Sequence, residues 1–229
     1  MLICILGNSH AAALKHGWDR IGAGFPDVDA HFFTMLGQNL GRLELTDGRL
    51  ALPKGGGSFR TFPKDIGDSI DIAAYDGFIL HGLGLRVRPP KEGPWSQAVR
   101  ACAAADAVRD TAMWKLVSDI RSVSAAPVRV GHTPLLAADA VHDRGASDAL
   151  REYLSVISAI IAEAPATLVP QPDETIVNGV WTDPQFNTDV TPIGRDPDEK
   201  DGQGQRHSDN SHMNPAFGAL MLERFLRSF

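Results

Sequence analysis

Leu2-Ile3-Cys4-Ile5-Leu6-Gly7-Asn8-Ser9-His10 is the stretch on which the fold of this chain turns. Residues 2–6 are apolar without alternation, the pattern of a strand covered on both faces. The run stops at Gly7-Asn8-Ser9-His10, and a helix-like pattern follows over residues 11–22, closed by Gly17 or Gly22. Two readings of the junction are open. Either Ser9 caps the helix, the ordinary use of a serine at such a place, or it is a nucleophile presented where a strand emerges.

Working outward, the alternation of strand and helix continues. Residues 28–35 and 75–81 read as strands, the latter ending in Gly82-Leu83-Gly84. After the Pro89-Pro90 break, residues 95–124 read as one long Ala-rich helix. Residues 127–132 read as a strand, 146–163 as an amphipathic helix and 166–169 as a short strand. Asn214 and Pro215 fit the N-cap and first position of a last helix reaching Leu226, because proline there gives up no needed N–H. RLELTDGRLALP, residues 42–53, alternates on both sides of Asp47-Gly48 and is expected to form a hairpin that decorates the main sheet. Residues 54–58 read as a flexible Gly-rich loop, and the long irregular stretch 170–211 as an insertion or an active-site lid. With no internal repeat and no change of composition, residues 1–229 predict one α/β domain. Its core is a doubly wound, mostly parallel five-stranded sheet with helices on both faces.

Composition narrows the function. The 229 residues are 43% hydrophobic and carry a net charge of −6, with no Lys/Arg block. Nucleic acid and anionic membrane surfaces are therefore not expected partners. Cys4 and Cys102 are too few for a disulfide framework and are expected to be buried free thiols. The opening apolar stretch is too short for a signal peptide, and no run is long enough to span a membrane, so a cytoplasmic protein is expected. Oligomeric state has no signature.

The chemistry gathers at two ends of the chain. In the flavodoxin-like strand order, the crevice beyond the first and third strands places Ser9 opposite Gly82. Near the C-terminus, Asp209 and His212 are three residues apart in HSDNSHMNPAFG. A carboxylate there can hold the imidazole Nδ1–H, leaving Nε2 to take a proton from a serine hydroxyl. Ser9, His212 and Asp209 thus supply nucleophile, base and orienting acid.

These residues resemble the SGNH (GDSL-type) hydrolases. Gly7-Asn8-Ser9 is similar to the family's first block, with Asn where Asp is commoner. Asp209-Asn210-Ser211-His212 fits its last block, followed by Met213-Asn214-Pro215 and Gly218. The resemblance spans essentially the whole chain. It implies a flavodoxin-like SGNH hydrolase fold and esterase, lipase-like or carbohydrate-deacetylating activity with no metal and no cofactor. The substrate expected is a small acyl ester, such as a carbohydrate O-acetyl group. The family's third block is usually Gly-x-Asn, whose Asn binds the oxyanion, whereas this chain has Gly82-Leu83-Gly84. Loss of such a donor costs roughly 3–4 kcal/mol of transition-state stabilisation if nothing replaces it. The backbone N–H groups of Ser9 and Gly82 are the expected oxyanion hole. Asn8, Gly56, His81 and Gly84 are candidate pocket residues. Gly56 or a neighbouring glycine of 55–57 stands in for the second-block glycine, and His81, Asn178 or Asn187 are the candidate substitutes for the missing Asn.

Rival readings remain. A relative that transfers the acyl group, or one that has lost catalysis, keeps the same fold. A metal-dependent phosphoesterase would draw on His207, Asp209 and His212 with Asn8 and His10, but lacks ligand-bearing ends on successive strands. Residues 54–58 lack the Lys-Ser/Thr ending of a phosphate-binding loop. Trp95 and Trp114 read as packing residues, Trp181 as the best candidate for a substrate platform, and the charged run 195–201 as solvated surface.

Overall fold

The computed structural model describes residues 1–37, 39–89, 96–192 and 210–229. The strands are β1 (Leu2–Gly7), β2 (Asp29–Thr34), β3 (Glu44–Thr46), β4 (Arg49–Ala51), β5 (Arg60–Phe62), β6 (Ser69–Asp71), β7 (Gly77–His81), β8 (Val128–Gly131), β9 (Thr167–Leu168), β10 (Ile176–Val177) and β11 (Trp181–Thr182). The α-helices are α1 (Ala11–Ile21), α2 (Gln97–Arg109), α3 (Ala112–Val123), α4 (Asp148–Ala162) and α5 (Pro215–Leu226).

The main sheet has the order β5-β2-β1-β7-β8-β9. Its five strands β2-β1-β7-β8-β9 are parallel, in the doubly wound order expected, and β1 and β7 flank the point where the winding reverses. A sixth strand, β5, adds antiparallel to β2 at the edge. The residues leading into it read from sequence only as a loop, because three residues carry too little periodicity to show as a strand.

Alternation along β1 builds two cores. Ile3 and Ile5 face α1 and α5, packing with Leu14, Phe217 and Phe225. Cys4 and Leu6 face the other layer, with Met113, Leu116 and Ile157 of α3 and α4. Burial raises the Cys4 thiol pKa well above its ordinary value.

Two expectations are corrected. The long helix over 95–124 is two helices, broken where Thr111 turns extended. Its Oγ1 accepts from Trp114 N–H at 3.1 Å and donates to the Val108 carbonyl at 2.6 Å, so a side chain replaces the helical ladder. Cys102 is exposed, because α2 buries the side carrying Ala104 and Val108 and Cys102 falls on the opposite one. Part of the stretch 170–211 is ordered by the β10–β11 pairing.

Asp47 and Gly48 both take positive φ, +50° and +76°, as a type I′ turn between β3 and β4 requires. β6 pairs with β4 to complete a separate three-stranded sheet. Trp95, His207 and the run 195–201 lie outside the described residues, and no described helix is long and apolar enough to cross a membrane.

Candidate active site

Ser9 lies between the end of β1 and the first turn of α1, half-buried. Asn8 before it is buried and uses both ends of its carboxamide. Its Oδ1 accepts from His10 N–H at 3.1 Å, and its Nδ2 donates to the Gly82 carbonyl at 3.2 Å. That carbonyl also accepts the Thr133 hydroxyl at 2.9 Å. An aspartate carboxylate cannot donate to a carbonyl, so asparagine is the residue this bridge requires. The α1 entry is tied to the end of β7 in this way.

The only described side chain that bonds the backbone entering α1 is Asn8, at the His10 N–H; neither His10 nor Ser9 caps the helix. His10, at the cap position, is already helical (φ −70°, ψ −21°), and the first turn closes on the Asn8 and Ser9 carbonyls at 2.9 and 3.2 Å. The Ser9 hydroxyl instead meets His212 Nε2 at 2.9 Å, across 203 residues of sequence.

His212 is held from several sides. Its carbonyl accepts Asn187 Nδ2 at 2.5 Å, its Nδ1 lies 3.3 Å from Ser211 Oγ, and its ring stacks on His10 at 4.9 Å between centroids. Asn214 caps α5 by accepting from Ala216 and Phe217 N–H, each at 3.1 Å, while its Nδ2 donates to the Gln185 carbonyl.

What brings the two ends of the chain together is the crossing of α1 and α5. A Cβ placed on Gly218 would overlap the Ala13 carbonyl, and one on Gly17 would overlap the Gly218 backbone. The two helices touch backbone to backbone, with their entries, and hence Ser9 and His212, on the same side of the sheet.

Ser9 opens into a cavity of about 240 Å³ walled by Thr34, Met35, Asn39, Gly56, Gly57 and Arg60. Most of these residues follow β2 or precede β5. The sequence reading missed Met35, Asn39 and Arg60. The available signal was that β2 neighbours β1 in this strand order, so the residues after β2 flank Ser9; Met35 N–H indeed donates to the Gly7 carbonyl at 3.3 Å.

Several expected site residues serve other purposes. The Gly82 N–H donates to the Gly131 carbonyl at 3.2 Å and is not open to an oxyanion; the ladder continues one residue past β7. Gly56 does reach the Ser9 cavity, but its N–H is held by the Pro53 carbonyl at 2.7 Å. Among the described residues no acceptor holds the Ser9 or Gly57 N–H. Gly84 takes φ +89° and donates to the Gly82 carbonyl at 2.5 Å, a tight turn rather than a pocket wall.

His81 is fully buried against Phe225 and Gly131, and neither ring nitrogen has a hydrogen-bond partner. Burial first, then His10 and His132, pushes its pKa well below the ordinary histidine value. His132 is likewise lowered by burial, partly opposed by the Thr133 carbonyl that accepts its Nδ1–H at 2.7 Å. Asn178 is engaged with His142, Asp143 and Ala140, and Asn187 Nδ2 with the His212 carbonyl. Asp209 lies outside the described residues. Among the described residues no three His, Cys, Asp or Glu side chains are grouped to hold a metal.

No family profile matches the chain, and no curated protein matches it. Solved structures do resemble it in outline. The periplasmic domain of a lipopolysaccharide acetyltransferase from Salmonella ser. Paratyphi A gives a TM-score of 0.48 at 12% identity, over 99% of this chain and 82% of that one. A carbohydrate esterase family 2 enzyme with its carbohydrate-binding domain, from Corynascus thermopiles (Myceliophthora fergusii), gives 0.45 at 15% identity, over 99% of this chain and 64% of that one. An acetyl xylan esterase gives 0.46 at 9% identity, over 100% and 99%. Likeness at this level assigns no activity.

Proposed function

We propose that this chain is a serine esterase of SGNH type acting on a small acyl ester, with a carbohydrate O-acetyl group as the favoured substrate. The observation that carries the reading is the 2.9 Å approach of His212 Nε2 to a Ser9 hydroxyl that caps no helix. A serine is a weak nucleophile at neutral pH until a base within hydrogen-bond reach takes its proton.

In the proposed reaction, Ser9 Oγ attacks the ester carbonyl as its proton passes to His212 Nε2. The tetrahedral intermediate collapses, the alcohol leaves with that proton, and an acyl-Ser9 remains. Water then attacks the acyl carbon, His212 takes its proton and returns one to Ser9 Oγ, and the carboxylic acid departs. An alcohol in place of water turns the same cycle into acyl transfer. Asp209 is assigned the orienting role, accepting the His212 Nδ1–H and supporting the imidazolium. The Ser9 and Gly57 N–H groups are the assigned oxyanion donors, Gly57 taking the place of the Gly82 expected from sequence. The 240 Å³ cavity suits a short acyl group and not a long chain.

The test is p-nitrophenyl acetate hydrolysis together with labelling by a fluorophosphonate. Ser9→Ala and His212→Ala are each expected to lower kcat by at least about a thousandfold, with little further loss when combined, as for residues acting as a unit. Labelling is expected at Ser9 alone. Unlabelled Ser9 in a folded protein, with hydrolysis equal in all variants, would overturn the reading.

A further inference from the structure

We propose that the alcohol half of the substrate is an anionic sugar, held in a second cavity by Arg86 and Arg88; this rests on the esterase reading above. The leaving alkoxide must collect its proton from His212, so the alcohol half lies on the His212 side of Ser9. A cavity of about 500 Å³ begins there, at His10, whose ring stacks on His212, and at Ser211 beside it. It is about twice the volume of the cavity that opens at Ser9 itself.

The chemistry of its wall is specific. Leu85 and Val87 are buried while Arg86 and Arg88 are exposed, so the alternation of this segment turns both guanidinium groups to the same side, and both line the cavity. Among the described residues neither arginine makes an ion pair or hydrogen bond, and none of those that line the cavity is a carboxylate. Two neighbouring cations without a carboxylate partner among the described residues are unusual in a chain of net charge −6. The segment is pinned by the Thr133 N–H donating to the Leu85 carbonyl at 2.7 Å.

Trp181, an exposed indole fixed in the β10–β11 pairing, lines the same cavity. Its neighbour Thr182 donates to the Leu135 carbonyl at 2.6 Å and accepts from Gln171 Nε2 at 3.0 Å. An indole face with two planar cationic forks is the complement of a ring bearing a carboxylate or phosphate: the ring lies on the aromatic surface and the anion accepts from the guanidinium groups.

The experiment compares kcat/KM for O-acetylated galactose, galacturonate and galactose 6-phosphate in wild type and in the Arg86→Gln/Arg88→Gln double variant. At least one charged ester is expected to exceed the neutral one by about tenfold, an advantage that shrinks as salt rises. The double variant is expected to bring that ratio close to one. The stronger of the two charged esters identifies carboxylate or phosphate as the recognised group. A wild-type ratio near one, or a ratio unchanged in the double variant, overturns the proposal. Binding of galacturonate and galactose 6-phosphate to Ser9→Ala, followed by NMR titration, separates this from the esterase reading. Arginine-dependent binding without ester hydrolysis sinks only the latter, and hydrolysis of neutral acetates without anion binding sinks only the former.

Discussion

Ser147 and Ser9 are both serines at the entry to a helix, and their side chains do opposite things. Ser147 is extended (φ −72°, ψ 159°) and its Oγ accepts from Leu150 N–H at 3.3 Å, a cap on α4. Ser96, Thr111 and Asn214 cap α2, α3 and α5 in the same manner. At α1 the backbone is already helical at His10, so no amide of the first turn is offered to Ser9 Oγ, and the hydroxyl turns to His212. Residue type alone does not separate a cap from a candidate nucleophile; the backbone conformation at the helix entry does. The side-chain bond at the α1 entry comes from Asn8, whose Oδ1 accepts the His10 N–H, so the helix does not call on Ser9 for it.

The sharpest way to break the contrast is to truncate both serines. Ser9→Ala is expected to abolish esterase activity while moving the unfolding free energy by no more than about 0.5 kcal/mol, the range of a substitution that removes no cap. Ser147→Ala is expected to keep activity and lose about 1 kcal/mol of stability. Equal stability losses in a denaturant titration would mean that Ser9 is a cap after all. Gly218→Ala attacks the crossing that brings the two ends of the chain together. Its methyl overlaps the Ala13 carbonyl, so a loss of about 3 kcal/mol is expected, with a fall in kcat as α5 and His212 shift. Unchanged stability and rate would show that the helices have room to part.

Asn8→Asp tests the bridge to β7. A carboxylate facing the Gly82 carbonyl loses a donor and sets a negative charge against that acceptor, which keeps only the Thr133 hydroxyl and the Gly84 N–H, a cost of about 2 kcal/mol in chemical denaturation. The smallest effect concerns acid. Unfolded His81 binds a proton near the ordinary value of 6.5, whereas the folded, buried ring resists it, so the unfolded state takes up more protons below that pH. Stability is therefore expected to be flat above 6.5 and to fall as pH drops below it, with His132 acting in the same direction. His81→Leu, which also removes two unpartnered nitrogens, should make the acid side of a Tm-against-pH curve shallower; an unchanged slope would place the acid sensitivity elsewhere.

The sequence was most legible where local physics dominates. Unbroken apolar runs marked β1 and β7, and Asn214-Pro215 marked the start of α5. It was least legible where a distant partner decides. The Thr111 cap that divides α2 from α3 competes with a strongly helical composition, and no periodicity reports the winner. The Gly82 amide looked available until the β8 ladder reached Gly131 and took it. Arg86 and Arg88 carry no local signal of a site, because only the fold brings them to the same cavity as His10 and Trp181.

By itself, then, the sequence determined the order of strands and helices, the parallel sheet they imply and the residue types at either end of the chain. Hydrophobic runs, caps and turns act over a few residues and are written locally. Tertiary structure alone decided that Ser9 meets His212 rather than a helix amide, which backbone N–H groups remain open and what lines the two cavities. Those outcomes depend on how closely two helices cross at Gly17 and Gly218 and on which strand ends lie side by side, distances that no stretch of chain specifies alone.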